Sequence, residues 1–542
     1  MCEKNMRNNI YCFLLMACFL LFFSCQKEEN IEVLKIVRAD GANDSSVEPY
    51  DGLTVLGVQE ANPYSSQNMR YAYNALVTAG ELQPNSIQLS TTHLYIKALP
   101  NNKEDLDAIL NCNDLDLFDY PLDYEIVDQG TYYHDPTIPD SGYTYIYTVI
   151  PIGYQFPTAF EVLDSCIIPL DIHDPNYDIL SQIEKKSCEM FQEDEDGLSG
   201  NQSGQQRCES HNPSGTISVY NTDINDIEGI RDIKVTMRNV VKVSSRYTDD
   251  NGYYASETNF WRKKIHYALH FQNANGVQIR SNVACLILAY YNKGKCNSNG
   301  ITFALYRNSV AWKWATTNNA EKFYYTTICS DFNITPPASD LRIWVTPLLS
   351  LFSNSAGSAP MLHRIKIESA LSDTIENSCQ TRNTANNLLP DIIILRTAQD
   401  STHDFQKTVW HELAHASHYE QAHAEYWNNF VNGIIWNQLH LGNCYGNGTH
   451  YRDGYIAVGE MWAHFMEYKT YNQYTINSIT IDNYWFKPAI MKELNTNMLF
   501  VYNIFACLTP DVHTIPALKN KLQQAYPLYY LSIEKIFNDY GF

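Results

Sequence analysis

Between Thr408 and His423 the apolar positions Val409, Leu413 and Ala416 recur at i, i+4 and i+7, so FQKTVWHELAHASHYEQA is expected to be an amphipathic helix. Further helices are expected over IAVGEMWAHFMEYK, YWFKPAIMKELNTN and PALKNKLQQAY, and LRIWVTPLL and PDIIILRTA read as strands. Upstream, from Gly215 to about Ser281, the period changes to two. GTISVYN, IRDIKVTMRN, VVKVSS and KIHYALHF alternate apolar and polar positions, with Ile265, Tyr267, Leu269 and Phe271 on one face. These short strands predict a small β-sandwich, and Asp250-Asn251-Gly252 predicts a tight hairpin in YTDDNGYYAS. Nearer the start, SQNMRYAYNALVTAG reads as helix and THLYIKAL and YTYIYTVIPIGY as strands.

The pattern therefore predicts an α+β multidomain chain, in keeping with its 542 residues, too many for one ordinary core at about 150 residues per domain. Residues 25–64 form an acidic tether, 65–210 an N-terminal mixed accessory region, 214–281 the sandwich and 284–542 an α+β unit. The boundary before the sandwich falls in CEMFQEDEDGLSGNQSGQQRCESHNPSG, a solvated polar loop. Its EDEDG run lacks the glutamate of an EF-hand, Ser203 standing at that position. A net charge of −22 argues against a nucleic-acid partner, whose affinity rests on Lys and Arg displacing counterions.

The first residues follow a different rule. Lys4 and Arg7 precede an apolar run from Ile10 to Phe23, shorter than the roughly 20 residues that span a bilayer, so residues 1–24 read as a signal peptide. LFFSC resembles a bacterial lipobox, which implies cleavage before Cys25 and a lipid anchor on that cysteine. The CQKEEN that follows resembles tethers that send lipoproteins to the surface of the outer membrane. Ten of the 14 cysteines then remain in an oxidising compartment, with Cys188 and Cys208 a plausible pair. No C-x-x-C occurs, which argues against a zinc ribbon or thioredoxin-type site.

Chemistry concentrates in HELAH, residues 411 to 415, a match to H-E-x-x-H. On a helix His411 and His415 lie one turn apart on the same side and can share one zinc, and Glu412, about 100° round, can reach a water on that metal. His418 faces the same way but lies roughly 10 Å further along the axis, beyond the reach of that ion unless the helix breaks. His418 and His423 therefore take outer or solvent roles. The metzincin pattern fails as well, with His418 where its glycine and Gln421 where its last histidine would stand.

The third ligand must come from elsewhere, and Glu420, Glu425, Asp453, Glu460 and Glu467 are the next acids. Glu460, opening GEMWAHFMEY, is the best placed. HELAH with Glu460 resembles the gluzincin branch of the zincin metallopeptidases, although Gly459 and His464 replace the usual neighbours of that glutamate. The resemblance implies zinc (Zn2+) held by His411, His415 and Glu460, with Glu412 as general base and a protein or peptide substrate cleaved internally. His464, Tyr451 or Tyr455 would donate to the oxyanion. Asp453, in an aspzincin-like arrangement, and Glu467 remain alternatives for the third ligand. GTISVYNT, IKVTM and YTDDNGYY resemble the carboxypeptidase-regulatory-like domain, a transthyretin-like sandwich. HLYIKALPNNKEDLDAIL and FDYPLDYEI resemble an N-terminal region of surface lipoproteins of unknown role. The competing reading is a non-catalytic lipoprotein that binds a host protein or glycan on a zincin scaffold.

Overall fold

A computed structural model describes residues 50–128, 130–139, 143–191, 210–273, 276–280, 289–307, 309–345, 357–361, 364, 390–395 and 401–542. The expected signal peptide, Cys25, the EDEDG run and Cys208 lie outside the described residues. Cys188 is a buried thiol. The fold is mixed α+β with several separate sheets. Among the described residues no helix is long and apolar enough to cross a membrane.

The N-terminal region is built on an antiparallel sheet with His93–Ala98 between Ile146–Pro151 and Glu161–Cys166. The helix Ser66–Thr78 begins where Ser65 Oγ accepts from Asn68 N at 3.1 Å. It buries Met69, Ala72 and Leu76 in one cluster with Ile183 of the helix Tyr177–Phe191. The last part of the expected tether is folded here. Tyr50–Leu53 pairs with Gly130–Tyr132, and Val55–Gln59 with Tyr124–Asp128.

Two sheets form the sandwich. In one, Lys242–Tyr247, Lys234–Asn239, Lys264–His270 and Tyr290–Asn297 lie in that order; in the other, Ser214–Asn221 is flanked by Tyr253–Ala255 and Phe303–Leu305 and also pairs with Asp226–Gly229. Strand pairing thus continues past Ser281 to Leu305. YYNKGKCN carries no alternating apolar signal, yet it completes a sheet whose other members do. The DDNG turn forms, Asp249 Oδ1 accepting from Asn251 N and Tyr253 N, both within 2.9 Å. The expected hairpin does not: the strands flanking the turn belong to different sheets, so this turn is a corner between layers. Lys264–His270 is buried on its second face too, because the N-terminal region covers it. His270 meets Phe118 edge to face at 6.0 Å, and Arg238 donates to Leu122 O at 2.8 Å.

Gln278–Arg280, Arg342–Val345 and Ile392–Leu395 are parallel neighbours in a third sheet, and Gly357–Ala359 adds an antiparallel edge strand. Against it packs the helix Val310–Phe323, which the sequence pattern does not announce because polar and apolar side chains alike are buried around it. Its Trp312 donates to Tyr220 O of the sandwich and its Trp314 to Val345 O of the third sheet. Trp410 of the HELAH segment donates in turn to Ala320 O. One continuous apolar core runs from Ile217 in the sandwich through this helix to Phe537 near the end of the chain.

Candidate metal centre

HELAH lies on Thr402–Leu441, hereafter the histidine helix, whose start is held by the sandwich. Thr222 N and Thr402 N each donate to the other's hydroxyl, at 2.9 and 2.8 Å, and Asp223 Oδ2 accepts from His403 N at 2.7 Å. Ser401 caps the first turn through Asp404 N. The helix is broken at His423, where φ is 62°. After the break Trp427 and Phe430 pack 5.5 Å from the His415 ring.

Against it packs Asp453–Tyr474, the glutamate helix. A Cβ on Gly459 would come within 2.6 Å of the Phe430 ring, so glycine is what permits this close approach of the two helices. Glu460 then projects at the two histidines, and His411, Glu412, His415 and Glu460 are all fully buried. Glu460 Oε2 lies 3.6 Å from His411 Nε2, and Oε1 lies 3.5 Å from His415 Nε2. These gaps are too long for good hydrogen bonds. They do suit a shared ion: ligands about 2.0–2.1 Å from a tetrahedral zinc sit roughly 3.3 Å apart. All three ligand atoms lie within 4.8 Å of one another.

The other edge of the His411 ring is tied down. His411 Nδ1 stands 2.8 Å from Glu467 Oε2, which makes Nδ1 the donor and leaves Nε2 facing Glu460. Glu467 also comes within 3.8 Å of Lys407 Nζ and 3.4 Å of His464 Nδ1. His411, His464 and Glu467 are a second grouping of ligand types among the described residues. A 2.8 Å contact inside it is a direct hydrogen bond, which places Glu467 as a partner of His411 Nδ1.

Burial pulls the His411 imidazolium down, but Glu460 and Glu467 outweigh burial and hold it up to about 10. His415, pulled down by burial, falls to about 4 despite Glu460. Burial also pushes the Glu460 carboxyl up; His415 and His411 overcome that and keep it well below the usual carboxylate range. A proton held at His411 between two carboxylates does electrostatically what a divalent cation would do there.

The remaining expected residues separate clearly. His464 stands at the site, its Nε2 3.7 Å from Glu460 Oε2 and 3.4 Å from the Tyr445 hydroxyl, its ring 4.5 Å from Tyr484. Tyr451 is 67% exposed with Arg452 over its ring, and Tyr455 stacks on His513 at 4.6 Å. Asp453, the alternative ligand, is engaged elsewhere: it accepts from Asn437 Nδ2 at 2.7 Å and from the backbone N–H groups of Gly448 and His450 at 2.8 and 3.1 Å. His418 is fully buried, not solvent-facing, with Tyr426 4.8 Å and Trp427 5.6 Å away. Sequence reasoning missed Glu467 as the partner of His411, and Tyr445. The i, i+4, i+7 spacing of Glu460, His464 and Glu467 is the signal that could have found the first. Tyr445, in the GNCYGNG loop, offers none.

Comparison of the chain with protein-family models, with curated proteins and with solved structures gives no match.

Proposed function

We propose that the chain is a zinc-dependent metallopeptidase, anchored to the outer-membrane surface by a lipid on Cys25, that hydrolyses peptide bonds within protein substrates. The observation that carries this reading is the convergence of His411 Nε2, His415 Nε2 and a Glu460 oxygen at the spacing of ligands to one ion. Two imidazoles and one carboxylate are a catalytic zinc set, three protein ligands with a position left open. Bound there, zinc would supply Lewis acidity and make a water acidic enough to attack at neutral pH.

The protein's own groups do the rest. Glu412, next to His411 and buried beside it, takes a proton from the attacking water and returns it to the leaving amine. Glu467 fixes the His411 tautomer, with Lys407 behind it, and Phe430 and Trp427 pack against His415. Of the oxyanion candidates His464, joined to Tyr445, is the one beside the ligands, and the pair would orient a developing negative charge. The sandwich, read as a transthyretin-like module, serves as the scaffold on which the histidine helix starts.

The test pairs metal analysis with proteolysis. Purified protein should carry about one zinc per chain, and wild type, but not Glu412→Ala, should digest a denatured protein mixture. Zinc-loaded wild type that leaves the mixture intact would defeat the peptidase reading, and a chain that binds no zinc would defeat the site.

A further inference from the structure

Where the N-terminal region meets the sandwich, a chain of hydrogen-bonded polar side chains is buried except at its partly exposed end, Arg262. Lys242 and Glu184 are fully buried, with Lys242 Nζ 2.7 and 2.9 Å from the two Glu184 oxygens. The Tyr64 hydroxyl donates to Glu184 Oε1 at 3.0 Å and accepts from Asn239 Nδ2 at 3.1 Å. Arg262 Nη1 donates to Asn239 Oδ1 at 3.3 Å.

Asn239 and Lys242 face each other directly across the turn made by Val240 and Val241, so both side chains leave the same face of the hairpin. That turn breaks the usual chemistry. Such turns favour Asn-Gly or Asp-Gly, whereas here Val240, β-branched and buried, is held at φ 49°. Backbone strain of this kind gathers where a structure must hold reacting groups together.

We propose that Lys242 and Asn239 join in an intramolecular isopeptide bond, the lysine ε-amine acylated by the asparagine side chain with loss of ammonia. Glu184 first takes a proton from the Lys242 ammonium. The freed Nζ lone pair attacks Asn239 Cγ, and the carbonyl electrons move onto Oδ1, where Arg262 offsets the charge. With the Tyr64 hydroxyl turned from Glu184 toward Nδ2, Glu184 passes its proton to the Tyr64 oxygen as that hydroxyl gives its own to Nδ2, and Glu184 takes a second from Nζ. When the carbonyl re-forms, the Cγ–Nδ2 bond breaks and ammonia departs. One of the three ammonium protons stays on the new amide, one leaves with ammonia and one remains on Glu184. Nothing is oxidised or reduced. A buried ion pair, expensive to desolvate, becomes a neutral amide beside a neutral acid. Burial, which pushes the Glu184 carboxyl up against the pull of Lys242, favours that end state.

Mass spectrometry of the purified full-length protein tests this. The peptide spanning Asn239 and Lys242 should be lighter than its sequence mass by about 17 Da and uncut by trypsin after Lys242. Lys242→Arg and Glu184→Gln should each restore the full mass there. A wild-type peptide of full mass, cleaved normally after Lys242, would overturn the proposal. So would a loss that persists in Lys242→Arg and yields to hydroxylamine, the behaviour of an Asn239 succinimide.

Discussion

Glu467 Oε2 sits 2.8 Å from His411 Nδ1, while the other nitrogen of the same ring faces Glu460 Oε2 at 3.6 Å. One carboxylate therefore orients the imidazole and the other faces the nitrogen that would meet a metal, and replacing either should have a different effect.

Glu467→Gln should leave the fold intact and weaken zinc about 10- to 100-fold, the usual cost of losing an orienting partner. Competition with a chelator of known affinity measures it. Zinc affinity unchanged in Glu467→Gln would mean that His411 is oriented by packing alone.

Glu460→Ala should abolish stoichiometric zinc, whereas Glu412→Ala should keep the zinc and lose turnover. The pair separates ligand from base in one metal analysis and one proteolysis assay. Asp453→Ala, which removes an acceptor from Asn437, Gly448 and His450, should cost about 1 kcal/mol or more of stability yet retain zinc. Loss of zinc without unfolding in that variant would reopen the choice of ligand.

Metal and proton should compete. With His411 held up to about 10, the metal-free protein carries an extra proton at pH 7, and zinc should displace about one proton per ion. Titration calorimetry in buffers of different ionisation enthalpy would read that release. The sign for stability follows from the same shift. A histidine raised above its unfolded value stabilises the metal-free fold fully below about pH 6.5, and that contribution is lost as pH rises toward 10. Metal-free protein should melt at lower temperature at pH 9.5 than at pH 7, and the zinc-loaded form should show a smaller drop.

Gly459→Ala should destabilise by about 1–3 kcal/mol, the range for forcing a methyl into a packed interface. Its Cβ would strike the Phe430 ring, whose centroid already lies 4.5 Å from Trp427 and 5.5 Å from His415. Relief should come from parting the two helices, so zinc affinity should fall with stability. A variant as stable and as tight for zinc as wild type would show that Phe430 has room to move.

Legibility in the sequence followed periodicity. HELAH could be placed because Val409, Leu413 and Ala416 mark the buried face of an amphipathic turn, and the same helix arithmetic set His418 outside the reach of an ion at His411 and His415. Helix Val310–Phe323 escaped because it is buried on every side, so Thr316, Asn318 and Glu321 sit inside beside Trp312 and Trp314 and erase the contrast that a stripe needs. Strand Tyr290–Asn297 escaped for the opposite reason: Lys293 and Lys295 keep it polar, and only its pairing with Lys264–His270 makes it a strand. For a long-range hydrogen bond such as His411 to Glu467 the sequence shows only that Glu467 shares a helix face with Glu460 and His464; the pairing itself is a choice of rotamer made between helices that meet only in the folded chain.

The exchange of hydrogen bonds between Thr222 and Thr402 has a practical meaning. The first turn of the histidine helix, capped by Ser401, is also held by a loop 180 residues away, and its apolar face belongs to a core that begins at Ile217. A fragment starting at residue 284 would therefore be an amputation, with raw amide ends and exposed tryptophans where the sandwich had been. The smallest piece of this chain that carries the histidine helix and can be produced as an independent folded unit should begin before Ser214.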